Sequence, residues 1–77
     1  MDMSQVNGRI RELVESGQEK AVCGIIRAEL TEYYSTIEGR EELMNSPNKH
    51  LKVAEAVDLL MQGVPKRVER EVKRRDG

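Results

Sequence analysis

The chain has 77 residues, of which 38% are hydrophobic, 3% aromatic and 35% charged, and its formal net charge is −1. This length permits one domain with a modest core and excludes a second domain. The single cysteine excludes an internal disulfide, and no apolar run approaches the ~20 residues that cross a bilayer. MDMSQVNGR lacks an apolar run after a basic start, so it predicts no signal peptide. We therefore expect a cytoplasmic protein with no membrane contact.

Charge is distributed unevenly along the single domain, residues 1–77. Residues 1–63 hold 7 Lys/Arg against 11 Asp/Glu, a net charge of −4. Residues 64–77 hold 6 Lys/Arg against 3 Asp/Glu, a net charge of +3. The sequence therefore predicts an acidic helical body, 1–63, followed by a basic C-terminal helix or tail, 64–77.

The first predicted helix is short and amphipathic. Asp2 and Gln5 have the spacing of a capping box, and Gly17 is a typical helix end. Its apolar face has helical spacing and consists of Val6, Ile10, Leu13 and Val14.

A second helix is predicted over about 18–37. Its apolar stripe consists of Val22, Ile26, Leu30, Tyr33 and Ile37. Gly24 would allow a neighbouring helix to approach closely. The pair Glu38-Gly39 could either break this helix or bend it, and the sequence leaves both readings open. Tyr33 and Tyr34 supply the only aromatic surface in the chain.

The densest apolar stretch predicts a central helix over about 47–62. Ser46-Pro47 is a typical helix start, and Gly63-Val64-Pro65 is a typical stop. Because this stretch is apolar around much of its circumference, we expect it to be surrounded by partners and packed on the second helix.

The basic C-terminal helix is predicted over about 65–75, with an apolar stripe at Val64, Val68 and Val72. The segment GVPKRVEREVKRR resembles the end of a helix-turn-helix unit, although it has Pro65 where such units carry a capping Ser or Thr. The resemblance implies contact with DNA or RNA through basic side chains. Those side chains are Lys66, Arg67, Arg70, Lys73, Arg74 and Arg75.

Residues that could support catalysis are few. His50 is expected to be an exposed residue at a helix start, and Cys23 a buried, inert thiol. The carboxylate pairs Glu29/Glu32 and Glu55/Asp58 lack the Glu-x-x-His motif of metal-binding bundles. We therefore expect no catalytic residue, no metal site and no cofactor.

Together these patterns predict an all-α domain of three to four helices. The predicted function is that of a small non-enzymatic regulatory module that binds a partner protein or homodimerises. An alternative is a small helix-turn-helix-like regulator that binds DNA or RNA through its basic C-terminal helix. The residues predicted to contact a protein partner are Tyr33, Tyr34, Val64, Val68 and Val72.

Overall fold

The computed structural model describes residues 3–76, so the predicted cap at Asp2 lies outside the described residues. The described chain is all-helical, as predicted: four helices pack against each other, and the last of them bends to form two segments. With those segments numbered separately, the helices are α1 (Met3–Glu15), α2 (Val22–Tyr34), α3 (Ile37–Met44), α4 (Val53–Met61) and α5 (Val64–Asp76).

The core lies mainly between α1, α2, α4 and α5. It contains the predicted face of the first helix, that of the second helix without Ile37, and the inner residues of the last two. Helix α2 contacts each of the other four helices, whereas α4 contacts α2 and α5. The predicted packing of α4 on α2 is confirmed, but the central position belongs to α2. The buried members of the core are Val6, Ile10, Leu13, Val14, Val22, Ile26, Leu30, Tyr34, Val57, Met61 and Val64.

Helix α1 ends as the sequence predicts. Gly17 has a φ of 81°, in the left-handed region that glycine adopts at low cost. The N–H of Gln18 donates to the carbonyl of Leu13, and the N–H of Gly17 donates to that of Val14. These two bonds form a Schellman motif, which satisfies carbonyls that the helix end leaves free.

The second and third helices separate at Ser35-Thr36, not at Glu38-Gly39. Thr36 has an extended backbone, and its hydroxyl accepts the N–H of Gly39 at 3.1 Å, an N-terminal cap for α3. Ile37 was predicted to extend the buried stripe of α2. That prediction is wrong because the new helix starts in a different phase, which leaves Ile37 79% exposed.

At Gly39 the backbone of α3 lies close to the backbone of α2. A Cβ at this position would lie 2.0 Å from the Tyr33 carbonyl oxygen and 2.8 Å from the Tyr34 Cα. The close approach expected at Gly24 is absent, since a Cβ there would meet no heavy atom within 4 Å. The prediction for Gly24 is therefore wrong, and Gly39 has that role.

Helix α4 begins later than predicted, at Val53. The Ser46 hydroxyl donates to the Leu43 carbonyl and accepts the N–H of Asn48, so it stabilises a turn after α3. At the true start, the extended Lys52 donates its N–H to the Glu55 carboxylate at 3.3 Å. One side of α4 faces solvent, and Leu59 is 42% exposed, so the expectation that partners surround this helix is wrong.

The basic helix α5 matches its prediction closely and packs along α1. Arg11 pairs with Glu71 at 3.4 Å, and a guanidinium nitrogen of Arg75 donates to the Val14 carbonyl at 2.7 Å. These contacts advance in the same direction along both helices, so α1 and α5 run parallel.

Candidate functional site

The residues predicted to bind a protein partner lie mainly inside the fold. Tyr34 and Val64 are buried in the core, and Tyr33, Val68 and Val72 are half-buried against it. The valine stripe thus docks on the body of its own chain. Tyr34 and Val64 therefore contact other residues of the same chain, and binding of a partner through the five predicted residues stays a prediction.

The two tyrosines form an edge-to-face pair with ring centroids 5.1 Å apart. Burial, together with the charge and hydrogen bonding of Glu42, raises the pKa of Tyr34 to about 12. Burial and the same carboxylate also raise the pKa of Tyr33. The Glu42 carboxylate of α3 therefore lies close to both tyrosines of α2.

The thiol and the imidazole lie on the surface. Cys23 is an exposed free cysteine, so the prediction that it is buried is wrong. It falls outside the face of α2 that meets the other helices. His50 is exposed in the loop before α4. Within residues 3–76, no three His, Cys, Asp or Glu side chains are grouped so that they could hold a metal ion.

The connection between α4 and α5 differs from that of a helix-turn-helix unit. Only Gln62 and Gly63 separate the two helices, which form one bent helix. A helix-turn-helix unit has a turn of 3–4 residues between helices that cross at a steep angle. Nucleic-acid binding by α5 stays a prediction. Arg67 is half-buried, and the exposed basic residues are Lys66, Arg70, Lys73, Arg74 and Arg75.

An apolar groove lies between α3 and the loop that leads to α4. Its volume is about 400 Å³. We call it the α3 groove and define it by its lining residues, Arg40, Leu43, Met44, Lys49, Leu51, Lys52 and Val53.

The floor of the α3 groove is apolar and its rim is basic. Leu43, Leu51 and Val53 are half-buried, and Met44 is 64% exposed. The three cationic side chains that complete the lining form no ion pair within residues 3–76, which leaves their charges available to a ligand.

An exposed apolar row extends the α3 groove along the helix. Ile37 and Met44 are seven residues apart, so they lie on one face about 10 Å from each other along the axis. They are the two most exposed large hydrophobic residues described. The residues predicted from the sequence to form a site did not include Leu43, Met44 or any other residue that lines this groove. The one available signal was the apolar pair on so short a helix.

No described helix is long and apolar enough to cross a bilayer. Comparison of the chain with protein-family models, curated proteins and solved structures gives no match.

Proposed function

We propose that this chain is a non-enzymatic regulatory module that works by binding a partner protein. Its α3 groove takes an acidic segment of the partner that carries apolar anchors. The observation that carries this proposal is an apolar floor bordered by three cations that form no ion pair within residues 3–76. We place the protein in the cytoplasm, where a reducing environment would preserve the exposed thiol of Cys23.

The chemistry of the groove supports this class of ligand. Apolar anchors would remove Met44 and its neighbours from water, and burial of apolar area is the main favourable term in association. Methionine is flexible and polarisable, so Met44 can adapt to the shape of an anchor. The rim cations would select acidic residues beside the anchors, because complementary charge governs specificity and encounter rate.

A different protein is favoured over a second copy of this chain. In a two-fold symmetric dimer, the same patch of each subunit faces its counterpart. If two copies of the chain dimerised through the α3 groove, Arg40, Lys49 and Lys52 of one copy would lie close to the same three residues of the other copy. Like charges across an interface are unfavourable. Homodimerisation is therefore an outcome that the test must distinguish.

The proposal is tested with a designed probe. A fluorescent helical peptide carries leucines at i, i+4 and i+7 and glutamates between them, and a scrambled peptide has the same composition. We expect the designed peptide to bind more tightly than the scrambled one, and its binding to weaken with salt. Met44→Glu should abolish binding, because it places a carboxylate among the apolar contacts.

Leu59→Glu is the matched control, since Leu59 is an exposed apolar residue on α4 outside the groove. It should leave peptide affinity unchanged. Reversal of the rim with Arg40→Glu, Lys49→Glu and Lys52→Glu should reduce affinity about tenfold or more and favour a lysine version of the peptide. Equal binding of designed and scrambled peptides would contradict the proposal. If the wild type self-associates and Met44→Glu abolishes that self-association, the α3 groove binds a second copy of this chain and not a partner protein.

A further inference from the structure

A second groove, separate from the α3 groove, runs between the parallel helices α1 and α5. Its volume is about 220 Å³, and Asn7, Ile10 and Glu71 form part of its lining. We call it the arginine groove and define it by its four guanidinium groups, Arg11, Arg67, Arg70 and Arg74. A shallower cavity of about 300 Å³ shares Arg11, Glu71 and Arg74 with it and extends it towards Arg75.

One carboxylate, that of Glu71, forms ion pairs with this cluster of arginines. The Glu71 side chain is 15% exposed and lies 3.4 Å from Arg11 Nε and 3.8 Å from Arg74 Nη1. Within residues 3–76, Arg67 and Arg70 have no ion-pair partner. Four guanidinium groups and one carboxylate give the groove a net charge of +3, so it attracts anions although the chain as a whole has a charge of −1.

Arg67 is the least satisfied of the four. Its Nη1 atom is buried and has no hydrogen-bond partner among the described residues. The guanidinium lies against Gly63, where an added Cβ would be 3.3 Å from Nη1. A buried donor without an acceptor is unfavourable. Arg67 would therefore be stabilised if its guanidinium group turned towards an anion in the groove and donated hydrogen bonds to it.

We propose that the arginine groove binds a short run of phosphate groups. Guanidinium forks match phosphate oxygens in bidentate geometry and stay charged at every physiological pH. Arg67, Arg70 and Arg74 lie on one face of α5 and span about 10 Å along its axis, room for more than one phosphate. The residues around the four arginines are mostly polar, so a ligand needs no apolar anchor there.

The ligand could be a small oligophosphate or the backbone of a nucleic acid, and both present the same chemistry. Sodium tripolyphosphate and a single-stranded DNA oligonucleotide are therefore titrated separately into the full chain at low salt, by calorimetry. The test variant is Arg67→Gln/Arg70→Gln. The matched control is Lys66→Gln/Lys73→Gln, which removes two cations from the same helix at positions that do not line the groove.

We expect affinity for tripolyphosphate to fall about tenfold or more in the arginine variant and less than threefold in the lysine control. If tripolyphosphate does not bind, and DNA affinity falls in the arginine variant much more than in the lysine control, the phosphates belong to a nucleic-acid backbone. Equal losses in both variants would mean diffuse attraction to a basic helix and would overturn the site. Absence of binding by both probes would also overturn it. Circular dichroism of each variant checks that the fold is retained.

Discussion

Replacing Gly39 with alanine tests how α3, and with it the α3 groove, is held in place. The added Cβ would lie 2.0 Å from the Tyr33 carbonyl oxygen, whereas ordinary contact begins at 3.4 Å. The two helices would have to separate by about 1.4 Å at this point. Because the obstructing atoms belong to the backbone, no side-chain rotation can relieve the overlap.

The expected cost of Gly39→Ala is about 2 kcal/mol or more. Overpacking of a close contact typically costs about 1–3 kcal/mol, and the better helix propensity of alanine recovers up to about 1 kcal/mol when the helices can separate. For a domain of this size, each kcal/mol shifts Tm by about 4–8 °C. We therefore expect Tm to fall by about 8 °C or more, measured by circular dichroism and checked by the urea midpoint.

Gly24→Ala is the matched control, because a Cβ there meets nothing within 4 Å. Alanine should stabilise α2 by about 1 kcal/mol and raise Tm by about 4–8 °C. A Gly39→Ala protein as stable as the wild type would refute the close approach of α3 to α2. Since α3 contributes Arg40, Leu43 and Met44 to the groove, Gly39→Ala should also weaken binding of the acidic peptide.

Three further predictions concern individual side chains. The raised pKa of Tyr34 means that the folded state keeps it protonated between pH about 10 and about 12, where the unfolded chain ionises. Stability should therefore fall as pH rises through that window, less steeply in Tyr34→Phe; identical pH profiles in urea denaturation would contradict this. Cys23 should react with a thiol reagent in the native protein as fast as in urea, and strong native-state protection would show that it is buried. Leu30→Ala should cost about 2–5 kcal/mol by urea unfolding because Leu30 is 1% exposed, and a cost under 1 kcal/mol would contradict the described core.

Local periodicity was sufficient to predict the faces of α1 and most of α2. Val6, Ile10 and Leu13 repeat at helical spacing, and the helix continues through Asn7-Gly8 as far as Glu15. Ile37 had the same spacing but lies across a helix boundary. The competing signal was the pair Ser35-Thr36, whose hydroxyls bond to nearby carbonyls and end α2.

Features that depend on packing could not be predicted in this way. Either Gly24 or Gly39 could permit the close approach of a neighbouring backbone. The path of α3 decides that this approach occurs at Gly39. The predicted start of α4 was Ser46-Pro47, but Ser46 stabilises a turn, and the helix begins where the N–H of Lys52 donates to the Glu55 carboxylate.

Both candidate sites combine residues from separate parts of the sequence. The α3 groove takes side chains from a helix, a loop and the next helix, and no periodicity connects them. The arginine groove joins Arg11 to Arg67, Arg70 and Arg74, which are brought together by the parallel packing of α1 on α5. The sequence identified basic residues of α5 as a cluster but gave no reason to include α1.

The most direct test of the proposed function is to map where the acidic peptide binds. Isotopically labelled protein is titrated with the designed peptide, and the backbone amide shifts are followed by NMR. The account predicts shifts concentrated in residues 37–44 and 49–53, with little change along α5. Shifts spread evenly over the surface, or concentrated on α5, would contradict the claim that the α3 groove is the protein-binding site.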